Sequence, residues 1–512
     1  MTTVRTHVIE RAQNLITTAY QHDAFANDLT RHIIIGIRQF AAVSDANPAF
    51  GEDVLFFVFK RVLIANRGEI AVRIIRACEE LDIETVAIFS EADENALHVQ
   101  LADHAVCVGG ADATDSYLNK DSILRAALET GADAIHPGYG FLSEDADFAQ
   151  QVTEHGITWI GPMPETIRLV GDKDVARASM QPSGIPMAKG SEPLKNNKEA
   201  VKAAKEVGYP VILKPVSGGG GKGMYVAHDE DELKDILDTL VDLKKINYYF
   251  EHYIERSRHI EVQIVADNYG EVIHLGEREC SIQRRNQKLL EESPSIALTH
   301  EMRKQVGTLA VKAAKSVHYS NVGTVEFLLD LKDNQFYFME INPRIQVEHG
   351  VTEEVTGIDI VRTQIRIAAG EPLDITQADV HFQGHAIECR INAEDPDNNF
   401  MPSPGQITFL HEPSGPRVRF DSGVTAGLSI EPYYDSMIAK LIVHGRTRGD
   451  AIKIMQRALK EFRIDGVKTT ISLHQKILSD SYFRTGNIDT QFIKKRIATY
   501  EAQKGNGKNY FA

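Results

Sequence analysis

Two glutamates occupy matching positions in neighbouring apolar segments of the chain. Residues 323–330 and 335–342 have the composition of two strands joined by a polar turn. A hairpin centred on Asp333 places Glu326 and Glu340, seven residues to either side, directly opposite each other. Opposed carboxylates repel, and magnesium or manganese, which prefer oxygen ligands, would relieve the repulsion. The sequence therefore predicts a divalent-cation site, the alternative being two solvent-facing glutamates.

A second set of polar residues follows the second strand. Asn342 lies on the same face as Glu340 and would supply a third oxygen to the cation. If the chain stays extended beyond it, Arg344, Gln346 and Glu348 also share one side. A cation, an amide and a carboxylate together predict a site that binds a small oxyanion and deprotonates it. Taken singly, each of these residues is typical of a surface.

A glycine-rich stretch follows a predicted strand that ends at Lys214. The strand covers residues 209–214, and the sequence SGGGGKG occupies residues 217–223, before a further strand at 224–227. Consecutive glycines let backbone N–H groups surround phosphate oxygens, and lysines neutralise them. The spacing is not that of a P-loop, and no dinucleotide-binding glycine motif follows the first strand. The alternative is a flexible surface loop.

Alternating strands and helices must position these residues. From Arg61 onward, short β-branched runs alternate with helical patterns, and one helix carries Ile70, Ile74, Ile75 and Cys78 on one side. This alternation predicts a parallel sheet covered by helices. The predicted strands are RVLIAN from Arg61, ETVAIF from Glu84, Ala105–Val108, Ala134–His136 and Thr158–Ile160.

The chain divides into five predicted segments. Residues 58–170 form the first domain, and residues 171–372 form a second domain that mixes the glycine-rich stretch with antiparallel hairpins. Residues 373–500 again alternate strands and helices and form a third domain, followed by a tail, 501–512. Residues 1–57 are an extension to which no chemistry is assigned, either helical or disordered.

The composition is that of a globular protein with several domains. The chain has 512 residues, 43% hydrophobic and 25% charged, with 56 basic and 72 acidic residues and a net charge of -16. This excludes fibrous classes and argues against a general binder of nucleic acid or anionic membranes. Neither an apolar run of about 18 residues nor a signal-peptide pattern is present. The four cysteines have no paired spacing, which favours the cytoplasm over a disulfide framework or a zinc site.

The chain from about Phe59 to Lys495 resembles the biotin carboxylases, members of the ATP-grasp superfamily. Within that family it is most similar to the biotin carboxylase subunits of acetyl-CoA carboxylases. The resemblance implies an α/β chain with a Rossmann-like N-terminal domain, an ATP-grasp domain with a mobile lid over about 188–260, and a C-terminal biotin carboxylase domain. Besides the glycine-rich stretch it rests on KRVLIANRGEIAVRIIRA at Lys60, HPGYGFLSE at His136, VGDK ending at Lys173, RHIEVQ at Arg258, CSIQRRNQK at Cys280, MEINPRIQVEH at Met339, ECRINAEDP at Glu388 and PYYDSMIAKL at Pro432.

The resemblance implies an ATP-dependent ligase that carboxylates biotin with bicarbonate through carboxyphosphate. Glu348 would be the base that makes bicarbonate nucleophilic toward the γ-phosphate of ATP. Arg390 would stabilise the enolate of biotin, and Lys288 would neutralise carboxyphosphate. With Arg344 these three form the implied catalytic set. The residues implied to contact bicarbonate or biotin are Lys288, Arg344, Gln346, Val347 and Arg390.

The resemblance also implies the ligands of the nucleotide and of the metal. Magnesium or manganese would bind Glu326, Glu340 and Asn342 and bridge the phosphates. The residues implied to bind ATP are Lys173, Lys214, Gly220, Gly221, Glu251, His252, Tyr253, Ile254, His259, Gln283, Asn286, Glu326 and Glu340.

Four positions depart from the usual pattern of the family. His252 stands where lysine is frequent, and Ser217 stands where some members have glycine. Asn286 stands where histidine is frequent, and Gly350 follows QVEH where proline is common. These departures bear on nucleotide affinity rather than on the chemistry.

Biotin is expected to arrive on a separate carrier protein. The chain contains no Ala-Met-Lys-Met biotinylation motif to carry biotin itself. It also has no room for a carboxyltransferase, so a separate carboxyltransferase subunit is expected. The expected enzyme is acetyl-CoA carboxylase, which makes malonyl-CoA for fatty-acid synthesis; pyruvate carboxylase or another acyl-CoA carboxylase is the alternative. A non-catalytic nucleotide sensor is one alternative function, but it would be expected to lack a metal glutamate, Glu348 or Arg390, and all of these are present. Another ATP-grasp ligase is a second alternative, but it would not need the set from Arg344 to Glu348.

A homodimer is implied as well. Arg76, Glu80 and Arg419 match dimer-contact positions of the family, whereas Pro416-Arg417 replace a Phe-Gly pair of that contact. Family members often begin Met-Phe-Lys-Arg, and here the same string starts at Val58. We therefore expect Val58 to be the initiator, encoded by GTG, and residues 1–57 to be untranslated.

Overall fold

The computed structural model describes residues 59–194, 196–215, 223–240, 248–496 and 500. The contacts of the chain group it into two units. The first unit comprises residues 1–59 and 369–371, of which the structure describes 59 and 369–371. The second unit comprises residues 60–368 and 372–512 and carries the elements below. The predictions for the extension, the tail, Ser217, Gly220 and Gly221 lie outside the described residues.

A five-stranded parallel sheet forms the first part of the second unit, with the strand order β3-β2-β1-β4-β5. The predicted strands and their parallel arrangement are confirmed. Its first helix, α1, buries Ile70, Ile74, Ile75 and Cys78 as predicted. The strands are β1 (Arg61–Ile64), β2 (Glu84–Ser90), β3 (His104–Gly109), β4 (Ala134–His136) and β5 (Thr158–Trp159), and the helices are α1 (Gly68–Glu79), α2 (Leu97–Leu101), α3 (Lys120–Thr130), α4 (Ala146–Glu154) and α5 (Pro164–Gly171).

A small antiparallel sheet follows, with the order β7-β6-β8. It contains the predicted strand that ends near Lys214 and the short strand after the glycine-rich stretch. Leu213 and Phe250 of the sheet pack with Leu233 and Leu237 in one apolar cluster. The elements are α6 (Lys173–Met180), α7 (Asn197–Val207), β6 (Val211–Pro215), β7 (Tyr225–Ala227), α8 (Glu230–Thr239) and β8 (Tyr248–His252).

An eight-stranded antiparallel sheet, of order β13-β12-β9-β10-β11-β14-β21-β19, forms the largest part of the fold. Its first five strands come from the second predicted domain. The elements up to the end of that domain are β9 (Ser257–Ala266), β10 (Val272–Arg284), β11 (Gln287–Ser293), α9 (His300–Ser316), β12 (Asn321–Asp330), β13 (Phe336–Asn342), α10 (His349–Thr356) and α11 (Ile360–Ala368).

The third predicted domain extends the same sheet, because β14 pairs with β11 and then with β21. The predicted alternation of strands and helices is wrong before residue 446, where eight strands follow one another without an intervening α-helix. Antiparallel neighbours need only short connections, so no crossover helix is required there. The elements are β14 (His385–Asn392), β15 (Glu394–Asp395), β16 (Met401–Pro402), β17 (Gly405–Gln406), β18 (Phe409–His411), β19 (Val418–Ser422), β20 (Ser429–Ile430), β21 (Met437–Gly445), α12 (Arg448–Glu461), β22 (Arg463–Asp465), α13 (Ile471–Ser479) and α14 (Ser481–Arg484).

The two faces of the large sheet differ in chemistry. On β9, Ile260, Val262 and Ile264 belong to an apolar core. His259 and Glu261 alternate with them and so lie on the other face. The apolar core under β11 and β14 contains Leu290, together with side chains of α12. No helix among the described residues has both the length and the apolar character needed to cross a bilayer.

Leu290→Ala should destabilise the protein by about 2–5 kcal/mol, because it removes a side chain that is 1% exposed at the junction of β11 and β14. Urea unfolding followed by circular dichroism measures the change. Leu128→Ala, at a side chain that is 50% exposed on α3, is the control and should change stability by less than about 0.5 kcal/mol. Equal effects of the two substitutions would contradict the shared core.

Candidate active site

A row of charged side chains crosses four neighbouring strands of the large sheet. The register places Arg278 of β10 beside Glu261 of β9, and Glu261 beside Glu326 of β12. Glu326 in turn lies beside Glu340 of β13, as the sequence predicts. Glu261 and Glu326 are buried, and Glu340 is half-buried. Carboxylates in such a row need cations beside them, because their charges repel in a low-dielectric interior.

The opposition of Glu326 and Glu340 depends on a β-bulge. Near the turn, Phe327 pairs with Phe338, which is a register centred between residues 332 and 333. A shift between Glu326 and Phe327 brings Glu326 opposite Glu340, and without it Glu326 would face Met339. The predicted hairpin register, centred on Asp333, therefore applies only to the pairs on the far side of the bulge from the turn, from Glu326 back to Thr324.

Lys288 of β11 supplies a cation to three carboxylates. Its Nζ lies 2.5 Å from Glu261 Oε2, 2.9 Å from Glu326 Oε1 and 2.6 Å from Glu348 Oε1. Burial alone would lower the pKa of Lys288, but these carboxylates outweigh it and raise the pKa well above 10.5. Arg278, fully buried, adds a second cation, with its Nε 2.5 Å from Glu261 Oε1. The row is thereby neutralised from inside the sheet.

Glu348, at the N-terminus of α10, is held between two cations. Besides Lys288 it meets Arg390 of β14, whose Nη2 lies 2.8 Å from Glu348 Oε2. Arg390 Nε lies 2.6 Å from Oε1 of Glu291, a fully buried glutamate on β11. Burial alone would raise the pKa of Glu348, but Lys288 and Arg390 outweigh it and hold the pKa well below 4.5. Glu348 is therefore ionised at neutral pH, as a general base must be.

The backbone of Arg390 is anchored from α13. Its carbonyl oxygen accepts hydrogen bonds from His474 Nε2 at 2.7 Å and from Thr470 Oγ1 at 3.0 Å. Burial lowers the pKa of His474 to about 4, so this histidine is a neutral donor at neutral pH. The two bonds fix the position from which the guanidinium extends.

The segment between β13 and α10 is not extended, which corrects the sequence prediction. Residues 343–346 have no regular structure, and Glu348 caps α10 with φ -82° and ψ 15°. A period of two therefore does not apply, since the chain turns into the helix at this point. Gln346 Nε2 still reaches Glu326 Oε1 at 3.1 Å, whereas Arg344 is bonded to Glu144 and to Asn342 Oδ1 at 3.3 Å. The Val347 carbonyl accepts from Lys440 Nζ.

One group of the residues expected at the nucleotide lies in the small sheet. Lys214 Nζ lies 2.5 Å from Glu251 Oε2, and Arg177 Nη1 lies 2.5 Å from Glu251 Oε1. Burial alone would raise the pKa of Glu251, but these two cations outweigh it and lower the pKa. The helix α6 begins at Lys173. The remaining members are His252, at the end of β8, with Tyr253 and Ile254 directly after it.

A second group lies beside the carboxylate row. His259 Nε2 lies 3.1 Å from Glu326 Oε2, and Gln283 Nε2 lies 3.5 Å from His259 Nδ1. Burial alone would lower the pKa of His259, but Glu326 outweighs it and raises the pKa above 6.5. Asn286 stands at the exposed tip of the β10–β11 turn with φ 65°, a conformation that asparagine tolerates well.

The donor set around Glu326 fits a hard divalent cation. Glu326 and Glu340 are opposed, and the buried Asn342, two residues after Glu340, adds an amide oxygen. Oxygen donors of this kind are those that magnesium prefers. His259, Glu261 and Glu326 form a further compact group, with ligand atoms within 4.8 Å of one another. Glu326 belongs to both sets, so it is the centre of the candidate metal site.

Three members of the cluster, Glu261, Arg278 and Glu291, are not among the site residues predicted from the sequence. A signal for Glu261 was available, because polar residues alternate with apolar ones along β9 from His259 to Gln263. The strand pattern offered no comparable signal for Arg278 or Glu291, whose roles depend on which strands become neighbours.

Three successive parts of the chain each match a known protein family. Residues 58–167 match the biotin carboxylase N-terminal domain family, 172–376 match the carbamoyl-phosphate synthase L chain ATP-binding domain family, and 388–495 match the biotin carboxylase C-terminal domain family. Biotin carboxylase 1 of Bacillus subtilis (strain 168) is 55% identical over 443 residues, 85% of this chain and 98% of the relative. A pyruvate carboxylase subunit of Methanothermobacter thermautotrophicus is 49% identical over 442 residues, 85% of this chain and 90% of the relative.

A solved structure has the same architecture. The biotin carboxylase domain dimer of Hydrogenobacter thermophilus 2-oxoglutarate carboxylase, in complex with MgADP, ADP and bicarbonate, has a TM-score of 0.82 and 50% identity to this chain. The match covers 86% of this chain and 98% of that one. Fold and site together define an ATP-dependent ligase with an N-terminal, an ATP-grasp and a C-terminal domain. The chain belongs to the biotin carboxylase family, and the predicted family, fold class and enzyme class are confirmed.

Lys288→Met should destabilise the protein by about 3–5 kcal/mol, because it leaves three buried carboxylates without their shared cation. Urea unfolding near pH 7 measures the loss. Lys202→Met, at a side chain that is 80% exposed, is the control and should cost less than about 1 kcal/mol.

The stability lost in Lys288→Met should depend on pH. In the wild type, Glu326 and Glu348 have folded pKa values well below 4.5, so their stabilisation is present above about pH 4.5 and is lost as the pH falls through the folded values. Without Lys288 these pKa values rise, and protonation then relieves the repulsion. The gap between variant and wild type should therefore shrink as the pH falls, first as the raised carboxyls of the variant are protonated and then as the wild type loses its stabilisation below about pH 4.5. A gap independent of pH would contradict the assigned charges.

Proposed function

We propose that this protein is the biotin carboxylase subunit of an acetyl-CoA carboxylase, carboxylating biotin on a separate carrier protein with ATP and bicarbonate. The observation that carries the proposal is the position of Glu348 between Lys288 and Arg390, which keeps a base ionised beside two cations. A general base, a phosphate-neutralising ammonium and an oxyanion-stabilising guanidinium are the groups that this chemistry needs.

Each residue of the cluster then has a task. Glu348 accepts the proton of bicarbonate, and Arg344, Gln346 and the backbone of Val347 orient that anion. Lys288 neutralises the charge on carboxyphosphate. Arg390 donates to the ureido oxygen of biotin as negative charge develops there. Because Lys288 and Arg390 contact Glu348 directly, the base and its partners are preorganised.

Nucleotide and metal sites complete the proposal. Glu326, Glu340 and Asn342 would hold magnesium or manganese, which neutralises phosphate charge when bound. Lys214 and Glu251 belong to the proposed nucleotide site with His259 and Gln283. In support, the Hydrogenobacter thermophilus relative was solved with MgADP and bicarbonate. We keep the domain boundaries 58–170, 171–372 with a lid at about 188–260, and 373–500 as part of the proposal.

The acyl acceptor is the least constrained part of the proposal. Relatives of comparable identity include a biotin carboxylase, a 2-oxoglutarate carboxylase domain and a pyruvate carboxylase subunit. The Bacillus subtilis biotin carboxylase is more similar to this chain than the pyruvate carboxylase subunit is, 55% against 49% identity, and its name specifies no acyl acceptor. We also propose a cytoplasmic location, which the four free cysteines support. Reconstitution with the host's carrier and carboxyltransferase proteins, assayed separately with acetyl-CoA and with pyruvate, tests the acceptor.

Glu348→Gln should abolish bicarbonate-dependent ATP cleavage while leaving ATP binding within about threefold of wild type, because the amide keeps the shape but cannot accept a proton. Steady-state ADP release with magnesium, bicarbonate and free biotin measures the first effect, and calorimetric titration with ATP measures the second. The wild type should show ADP release that requires bicarbonate and is stimulated by biotin. Full turnover by the variant would remove Glu348 as the base, and a wild type without stimulation would count against biotin carboxylation altogether.

We further propose a homodimer whose contact includes Arg76 and Glu80, both exposed on α1 or directly after it. The third expected contact, Arg419, lies 2.7 Å from Glu353 and 2.8 Å from Asp421 of its own chain. Sedimentation velocity should show a dimer at micromolar concentration. Arg76→Glu should shift the protein toward monomer, while Arg125→Glu, at an exposed arginine of α3, should not. A wild-type protein that is monomeric at that concentration would refute the dimer.

A further inference from the structure

A second pair of opposed carboxylates lies deep beside the active site. Strand pairing places Glu291 of β11 directly opposite Glu388 of β14. Both residues are 0% exposed. Directly opposed residues on antiparallel strands have Cβ atoms about 4.5–5.5 Å apart, so two ionised carboxylates here would repel strongly. In the neighbouring row, Lys288 offsets the repulsion between carboxylates by pairing with three of them. The repulsion between Glu291 and Glu388 must be relieved in another way.

The nearest cations are bonded to other groups. Arg390 donates a hydrogen bond from Nε to Glu291 Oε1 and another from Nη2 to Glu348 Oε2. Among the described residues, neither carboxylate oxygen of Glu388 has a hydrogen-bond partner, and Oε2 of Glu291 has none either. Glu388 is thus the member of the pair to which none of these residues donates a hydrogen bond.

Lys440 of β21 is likewise bonded to groups other than Glu388. It is 0% exposed, and its Nζ donates to the Val347 carbonyl oxygen at 2.9 Å and lies 3.2 Å from Glu69 Oε2. Those two contacts hold the ammonium under the turn that carries Glu348. An ionised Glu388 would compete for it.

The start of helix α10 closes this side of the pair. A Cβ atom on Gly350 would lie 3.4 Å from Glu388 Oε2 and 2.4 Å from Ile442 Cδ1. Glycine therefore lets the helix approach the strand closely. Glu388 is thus fully buried and tightly packed, and an unpaired charge there is costly.

We propose that Glu291 and Glu388 hold one proton between them, that Glu388 carries it, and that neutral Glu388 is a positioning residue for Arg390. While Glu388 is neutral, Arg390 keeps its hydrogen bonds to both Glu291 and Glu348. When Glu388 ionises, the added negative charge draws Arg390 and Lys440 away from their present partners. The proposal rests on the proposed function only in giving Arg390 a role in biotin carboxylation.

The titration behaviour of the pair agrees with this assignment. Burial raises the pKa of Glu388 well above 4.5, and the charge of Glu291 raises it further against the opposing effect of Lys440. Burial likewise raises the pKa of Glu291, to about 7, against the opposing effect of Arg390. The charged or titratable groups that face the pair are Arg390, Lys440, Lys288, Glu261, Glu348, Tyr139, Cys280 and Cys389.

Glu388→Gln tests the protonation state through stability. A carboxyl whose folded pKa lies above its unfolded value costs stability progressively as the pH rises from about 4.5 toward the folded pKa. Glutamine imitates the neutral acid and avoids this cost. The variant should therefore match the wild type near pH 5 and become increasingly more stable than it toward about pH 8, measured by urea unfolding. A gap that does not grow with pH, or a variant that does not fold, would overturn the proposal, since a neutral residue must fit this site.

Glu292→Gln is the matched control on the adjacent residue. Glu292 faces away from the pair, is bonded to Arg448 and His385, and has a pKa lowered to about 2 by these partners against the opposing effect of burial. Its stabilisation is present above about pH 4.5 and is lost at lower pH. The control variant should thus be less stable than the wild type at neutral pH, the opposite sign to Glu388→Gln.

The positioning role is tested by the pH profile of biotin-dependent ATP cleavage. Ionisation of Glu388 should produce an alkaline decline of kcat in the wild type, and this decline should move to higher pH in Glu388→Gln. An identical decline in both proteins, or none in the wild type, would overturn the role for Arg390. The unfolding measurements need no activity, so a protein that fails to carboxylate biotin would refute the proposed function without deciding the protonation of Glu388.

Discussion

Burying several carboxylates side by side is the constraint on which this structure depends. Glu261, Glu326 and Glu348 are all inside the protein and close enough to share one ammonium. Such an arrangement is stable only if cations are buried with them in bonding geometry. Lys288 comes from β11, and Arg390 comes from β14. The large sheet must therefore bring strands of two predicted domains into register.

This requirement explains why the sheet runs without interruption from the ATP-grasp domain into the C-terminal domain. The pairing of β11 with β14 places Arg390 where it reaches both Glu291 and Glu348. One face of the sheet then carries the charges, while the other packs against α9 and α12 in apolar cores. Stability and chemistry are thus separated by the alternation of side chains along each strand.

Charge balance within the site is local. Lys288 and Arg278 neutralise the row around Glu261, and Arg390 serves Glu291 and Glu348. Glu326 contacts both Lys288 and His259, so a divalent cation at Glu326 has to share or replace those contacts. The carboxylates of the site are therefore paired with side chains of the same chain.

Much of the architecture was predictable from the sequence. The β-branched runs and the apolar side of α1 predicted the parallel sheet, because hydrophobic period and chain order suffice when strands are joined by crossover helices. The hairpin of Glu326 and Glu340 was predicted from its turn, although a bulge was needed for the register. The extended form of residues 343–348 was wrong, because where α10 begins depends on packing against the sheet rather than on local alternation.

The sequence by itself determined the family and the three-domain order and supplied the candidate site residues, since these follow from local motifs and their order along the chain. Tertiary structure alone decided that Lys288 joins three glutamates, that Arg390 bridges Glu291 and Glu348, and that no cation among the described residues is hydrogen-bonded to Glu388. Those facts depend on strand neighbours that lie far apart in the chain. Charge partners across a sheet are set by register and burial, which no local pattern records.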